Sequence, residues 1–134
     1  MSRAVAEVDL QAIKNNLTLI KSKTSAQVLA VVKADGYGHG LIPVSEAAIE
    51  AGADWLGTAL LEEAIELRKN GIKVPIIAWL TPCGEDFKEA INLDIDLSIS
   101  SLEVLTEIMT ASEQLKKLPR VHIEIDTGMS RGGI

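Results

Sequence analysis

The chain has 134 residues, enough for one domain that buries roughly two-thirds of its unfolded surface. Apolar residues make up 47% of it and mean hydropathy is +0.21, which excludes a disordered tail and fits a core-rich globular protein. A net charge of −6, aromatic content of only 3% and a single cysteine argue against a nucleic-acid partner, an internal disulfide and a cysteine-built zinc site.

The opening MSRAVAEVDL has no apolar run behind a basic stretch, so it does not read as a secretory leader. No segment approaches the ~18 unbroken apolar residues of a membrane span. A reducing, cytoplasmic setting is expected, with no membrane partner. Asp9 reads as the N-cap of a helix carrying Leu10, Ile13, Leu17 and Ile20 on one stripe. Val28–Lys33 reads as a buried strand, followed by a helix from near Pro43 to Gly52. Trp55–Thr58 is a short strand. Leu60, Ala64 and Leu67 mark a helix with Glu62 and Glu63 early, Arg68 and Lys69 late and Gly71 as terminator. Val74–Leu80 is a strand, Glu85–Ile91 a short helix and Ile95–Ile99 another strand. Ser100 and Glu103 form a capping-box pattern ahead of Leu102, Leu105, Ile108 and Leu115, and Val121–Ile125 is the last strand.

Strands separated by helices call for a parallel sheet in an α/β fold. Two architectures use the pattern: a five-stranded doubly wound sheet, and part of a (β/α)8 TIM-type barrel, about five of eight βα units. Val121, Ile123 and Ile125 alternate with His122, Glu124 and Asp126. The greasy face would pack beneath helices, and the polar face suits a barrel lumen.

The run AVVKADGYGHG, Ala30 to Gly40, is the densest in chemistry. Lys33 stands where a strand leaves the core, which suits a Schiff-base lysine whose amine is kept neutral by apolar surroundings. Gly36, Gly38 and Gly40 allow positive φ or close backbone approach to a ligand. A lysine snorkelling from a strand end is the bland alternative. His39 is expected to order the turn, and His122 to be structural. Two histidines with no third ligand at suitable spacing predict no metal site.

AVVKADGYGHG resembles the cofactor-lysine motif of the alanine racemases, which depend on pyridoxal 5′-phosphate. The opening AEVDLQAIKNNL and the segment IEIDTGMSRGGI, Ile123 to Ile134, resemble that family's N-terminal stretch and the end of its fifth barrel strand. The three segments occur in the family's order across the chain. The resemblance implies a TIM-type barrel, of which residues 1–134 would be the N-terminal portion. The family's barrel continues for roughly three more units, followed by a β-rich C-terminal domain.

It further implies that Lys33 holds the cofactor and serves as a catalytic base on one face of the substrate. Tyr37 would contact the cofactor phosphate, and Arg131 the cofactor's phenolic oxygen and the substrate carboxylate. The cation of Arg131 would lower the Lys33 pKa. The implied reaction interconverts L- and D-alanine, supplying D-alanine for peptidoglycan, in a homodimer whose partner subunit provides a tyrosine as second base. By itself the chain is expected to be inactive. Glu124 departs from members that carry a carbamylated lysine there, and would supply an anion beside Arg131 without modification. The alternatives are a broad-spectrum amino-acid racemase, a non-catalytic cofactor-binding barrel, or a doubly wound binding domain without covalent cofactor.

Overall fold

The computed structural model describes residues 4–134. Along the chain run α1 (Leu10–Lys21), β1 (Leu29–Val31), α2 (Lys33–Gly38), α3 (Leu41–Glu50), β2 (Trp55–Thr58), α4 (Leu61–Lys69), β3 (Ile76–Ala78), α5 (Phe87–Asn92), β4 (Asp96–Ile99), α6 (Leu102–Leu115) and β5 (Val121–Ile123). Local chemistry accounts for several of the boundaries. The Asp9 carboxylate accepts from the Ala12 N–H at 3.0 Å and starts α1. For α6 the cap is Ser101 rather than the expected Ser100, with its hydroxyl accepting from the Val104 N–H at 3.3 Å. β2 has the expected bounds, whereas β1, β3, β4 and β5 are shorter than the apolar runs that announce them.

All five strands pair in parallel in the order β1-β2-β3-β4-β5. This order decides between the two architectures. A doubly wound sheet reverses direction at a switch point, whereas here every strand is added beside its predecessor. Right-handed crossovers then lay the connecting helices α3 to α6 on one face. The chain is therefore a run of consecutive units of a TIM-type barrel, and the doubly wound alternative is overturned.

Beneath the helices, Leu56, Ile76, Ala78, Leu97 and Ile99 are buried with Leu61, Leu67, Ile91, Val104 and Ile108. Register places Gly57 beside Ile77, Ile77 beside Asp96, and Ser98 beside His122, so these residues share the opposite face, which a barrel turns inward. The polar side of β5 belongs to that inner face. Its apolar side does not find the expected cover: Val121 is 38% and Ile123 65% exposed, since α6 packs on β4. No helix among the described residues is long and apolar enough to cross a membrane.

The amino ends of the strands form a floor fastened by charge. Arg68 of α4 donates from three nitrogens to the carbonyls of Ile72, Val74, Leu93 and Asp94 at 2.7–3.0 Å. Burial pulls its pKa below the ordinary arginine value. The buried carboxylate of Asp96 accepts from Arg120 Nε and Nη2 at 2.5 and 2.8 Å and pairs with His122 Nε2 at 2.7 Å. The same Arg120 lies over the Trp55 ring at 4.9 Å.

Candidate functional site

Strand direction gathers the carboxyl ends of all five strands on the opposite rim, and Lys33 is set there between two fixed points. On one side the Val32 N–H continues the ladder to the Gly57 carbonyl at 2.9 Å. On the other, the Ala34 N–H donates to Glu63 Oε1 at 2.6 Å. The segment that follows, expected as a glycine-rich turn, is wound left-handed. Ala34, Asp35, Gly36 and Tyr37 all have φ of 53–60° and ψ of 38–52°. Only glycine adopts this region freely, and each of the other three residues costs about 1–2 kcal/mol.

Several bonds hold the turn. The Gly36 N–H donates to the Val32 carbonyl at 2.9 Å and the Gly40 N–H to the Asp35 carbonyl at 2.8 Å. Asp35 Oδ1 accepts the Leu41 N–H at 2.7 Å, capping α3. His39 has the ordering role expected of it: Nδ1 donates to the carbonyls of Tyr37 at 2.9 Å and Gly36 at 3.1 Å, which places its proton on Nδ1.

The turn brings two of the three expected site residues together. Lys33 is half-buried, and its Nζ stands 5.9 Å from the centroid of the exposed Tyr37 ring. Arg131 lies on the same rim at the other edge, with three strands between β1 and β5. Beyond β5 the chain doubles back, the Ile134 N–H donating to the Glu124 carbonyl at 3.0 Å and the Asp126 N–H to the Ile134 carbonyl at 3.3 Å. Asp126 Oδ1 accepts the N–H groups of Gly128 and Ser130 at 2.8 and 3.0 Å, and these bonds hold its carboxyl below the ordinary range. Arg131 thereby lines a cavity of about 310 Å³ with Glu124, Trp79, Leu80, Thr81 and Ser100.

Trp79 connects the two halves of the rim. A Cβ built on Gly57 would lie 2.5 Å from the Trp79 ring and 2.7 Å from Leu29, so the indole crosses β2 at a position where only glycine leaves room. Among the described residues, the Lys33 amine, the Tyr37 hydroxyl and the Arg131 guanidinium have no hydrogen-bond or ion-pair partner. By contrast Arg68 and Arg120 are committed. An amine, a phenol and a guanidinium with free donors on one rim suit a ligand bearing an aldehyde and anionic oxygens.

Sequence reasoning passes over two features. One is Glu63, read there only as an early acid of α4; its position three residues after Leu60 signals a reach back to the helix start, but nothing local signals the bond to Ala34. The other is the Asp96–Arg120–His122 cluster, whose members meet only through strand register.

The family model of the alanine racemase N-terminal domain matches residues 8–134. The chain is 50% identical over 134 residues to the alanine racemase of Thermobifida fusca, covering 99% of this chain and 36% of that protein. It is 45% identical over 133 residues to that of Salinispora tropica, again 99% against 36%. Among solved structures, the alanine racemase of Streptomyces coelicolor superimposes with a TM-score of 0.91 at 40% identity, over 94% of this chain and 34% of that one. The Bacillus anthracis alanine racemase with bound L-Ala-P gives 0.83 at 38% identity, over 95% and 33%. The chain thus spans about a third of the length of the curated relatives it matches.

Proposed function

We propose, from the premise that the chain belongs to the alanine racemase family, that it supplies the N-terminal barrel portion of an enzyme interconverting L- and D-alanine with pyridoxal 5′-phosphate. The observation that carries the reading is the set of uncommitted donors on one rim, the Lys33 amine, the Tyr37 hydroxyl and the Arg131 guanidinium. In an eight-unit barrel the first and fifth strands are diametrically opposed, so Lys33 and Arg131 would face each other across the mouth.

The donor set fits the cofactor. Lys33 offers the amine for its aldehyde carbon, Tyr37 a hydroxyl for its phosphate, and Arg131 a fork for its phenolic oxygen and the substrate carboxylate. When bound, the group supplies an electron sink for the pair left on Cα when a proton departs. The Lys33 amine would take or return the Cα proton on one face. The substrate carboxylate is gripped by the two parallel N–H groups of Arg131, which sets the Cα–H bond toward that amine. Glu124 lines the same cavity as Arg131, where it would supply an anion without modification.

Tyr37 is the only tyrosine in the sequence. The tyrosine that serves as second base in this family would come from a partner subunit. The cytoplasm, with D-alanine passing to peptidoglycan synthesis, is the setting that follows from this reading.

The test is to add pyridoxal phosphate to the chain, reduce with borohydride and map the labelled lysine by mass spectrometry. Label at Lys33, abolished by Lys33→Ala, is the expected result. Uniform label over the surface lysines, or none, refutes the reading. A longer protein carrying this chain should also exchange the Cα proton of alanine with solvent deuterium. Label without exchange would identify a non-catalytic cofactor-binding barrel, and equal exchange with bulkier amino acids a broad racemase.

A further inference from the structure

We infer that Glu63 is a positioning residue for the Lys33 amine: its carboxylate locks the peptide directly after Lys33 to helix α4. The inference rests on the reading of Lys33 as the cofactor lysine.

An acid at this place in a helix ordinarily serves the helix start alone. Three residues into α4, a glutamate reaches back to the N–H of the cap residue, and one oxygen suffices. Here Oε2 alone does that work, accepting from the N–H groups of Ala59 and Leu60, each at 3.0 Å. Oε1 is left over, and it accepts the Ala34 N–H at 2.6 Å, 29 residues back in the chain and in the preceding βα unit. A single half-buried carboxylate thus ties the loop after β1 to the loop after β2.

Lys33 is thereby bracketed. Its preceding peptide is held through the Val32 carbonyl, which accepts the Gly36 N–H at 2.9 Å, and its following peptide is fixed to α4 by Glu63. With both flanking peptide planes held, the direction of its Cα–Cβ bond is set before any side-chain torsion is chosen. The anchored amide also belongs to Ala34, the first residue of the left-handed turn. Freed from Glu63, Ala34 is the residue through which the strained backbone would relax toward the ordinary regions of φ and ψ. Tyr37, three residues along, would be carried with it. Glutamine cannot replace the carboxylate here. It offers one carbonyl oxygen, and its NH2 group would confront an N–H donor on the other side.

The test compares the whole chain unaltered, as Glu63→Gln, and as Glu62→Gln, which removes an exposed acid one position away. Lys33 labelling by formaldehyde with reductant is followed by mass spectrometry across pH, and the series is repeated with pyridoxal phosphate and borohydride. In Glu63→Gln, both reactions at Lys33 should slow by about ten- to a hundredfold and the pH profile of Lys33 labelling should move. Other lysines, and Glu62→Gln throughout, should keep their rates.

An unmoved rate and profile at Lys33 in folded Glu63→Gln overturns the inference. If formaldehyde labelling depends on Glu63 while pyridoxal phosphate leaves Lys33 untouched in the unaltered chain, the positioning role stands and the cofactor reading falls. Should Glu63→Gln not fold, amide hydrogen exchange on the unaltered chain decides. The Ala34, Ala59 and Leu60 amides should be protected and open together. An Ala34 amide that exchanges as fast as an unprotected loop refutes the role.

Discussion

Replacing Ala34 by glycine should stabilise this protein, against the usual effect of glycine within a helical turn. Ala34 sits at φ 53° and ψ 52° with an exposed side chain, so its methyl group adds left-handed strain without filling the core. That strain is about 1–2 kcal/mol and glycine does not bear it. Against it stands the greater freedom of glycine in the unfolded chain, about 0.4–1 kcal/mol. The balance is a gain of about 0.8 kcal/mol, from the mid-values of those two ranges. A urea slope near ~1.5 kcal/mol per molar converts this to a rise of about 0.5 M in the unfolding midpoint. The assay is urea unfolding followed by fluorescence of Trp55 and Trp79, with the slope required to stay constant. In a right-handed turn the same change would cost about 1 kcal/mol. The sign therefore decides the matter, and a lowered midpoint in Ala34→Gly would refute the strain argument.

Other perturbations have equally defined outcomes. Gly57→Ala drives a methyl to 2.5 Å from the Trp79 ring; it should cost about 1–3 kcal/mol by overpacking and shift Trp79 emission, and a neutral result would place the indole elsewhere. In the floor cluster, removing the exposed partner should hurt more than removing the buried one. Arg120→Ala leaves the Asp96 carboxylate, 2% exposed, with only His122, at a cost of about 3 kcal/mol. Asp96→Asn leaves Arg120 free to rehydrate and should cost nearer to ~1.5 kcal/mol; equal losses in thermal melts would count against a buried charge. Asp54 is held below the ordinary carboxylate range by its bond from Lys21 and by the Val28 N–H. Its folded pKa is lower than the unfolded value of about 3.9. Its contribution is therefore complete above about pH 4 and is lost as pH falls through the folded value. The melting difference between the unaltered chain and Asp54→Asn should shrink below that pH, and a constant difference would refute the linkage.

How much of this was legible in the chain depends on the range of the forces involved. Asp9 capping α1, Gly71 ending α4 and the strand at Trp55–Thr58 are local matters, and each is where periodicity and capping chemistry put it. Architecture needed strand order, which hydrophobic alternation does not carry. Only the polar face of β5, with His122 and Glu124, hinted at a lumen. The left-handed turn escaped because Ala34, Asp35 and Tyr37 carry no local preference for positive φ that outweighs its cost. It exists through bonds to Val32, Leu41 and Glu63. Lys33, Tyr37 and Arg131 could be named from their motifs, while the residue that anchors Lys33 could not, since it lies 29 positions from its target. Arg120 and Asp96 are separated by 24 positions and meet by register alone.

Helix α4 grips both ends of the sheet. Glu63 takes amides at the upper rim, and Arg68, five residues on, gives to carbonyls at the floor. The two side chains are separated by about 7.5 Å along the helix axis, and that interval sets the height between rim and floor as a spacer would. Deleting one residue between them would swing Arg68 round the helix by about 100° and leave one grip empty. The solvent-facing positions of α4 can change identity freely, but its length cannot, so loosening at either end of the sheet is felt at the other.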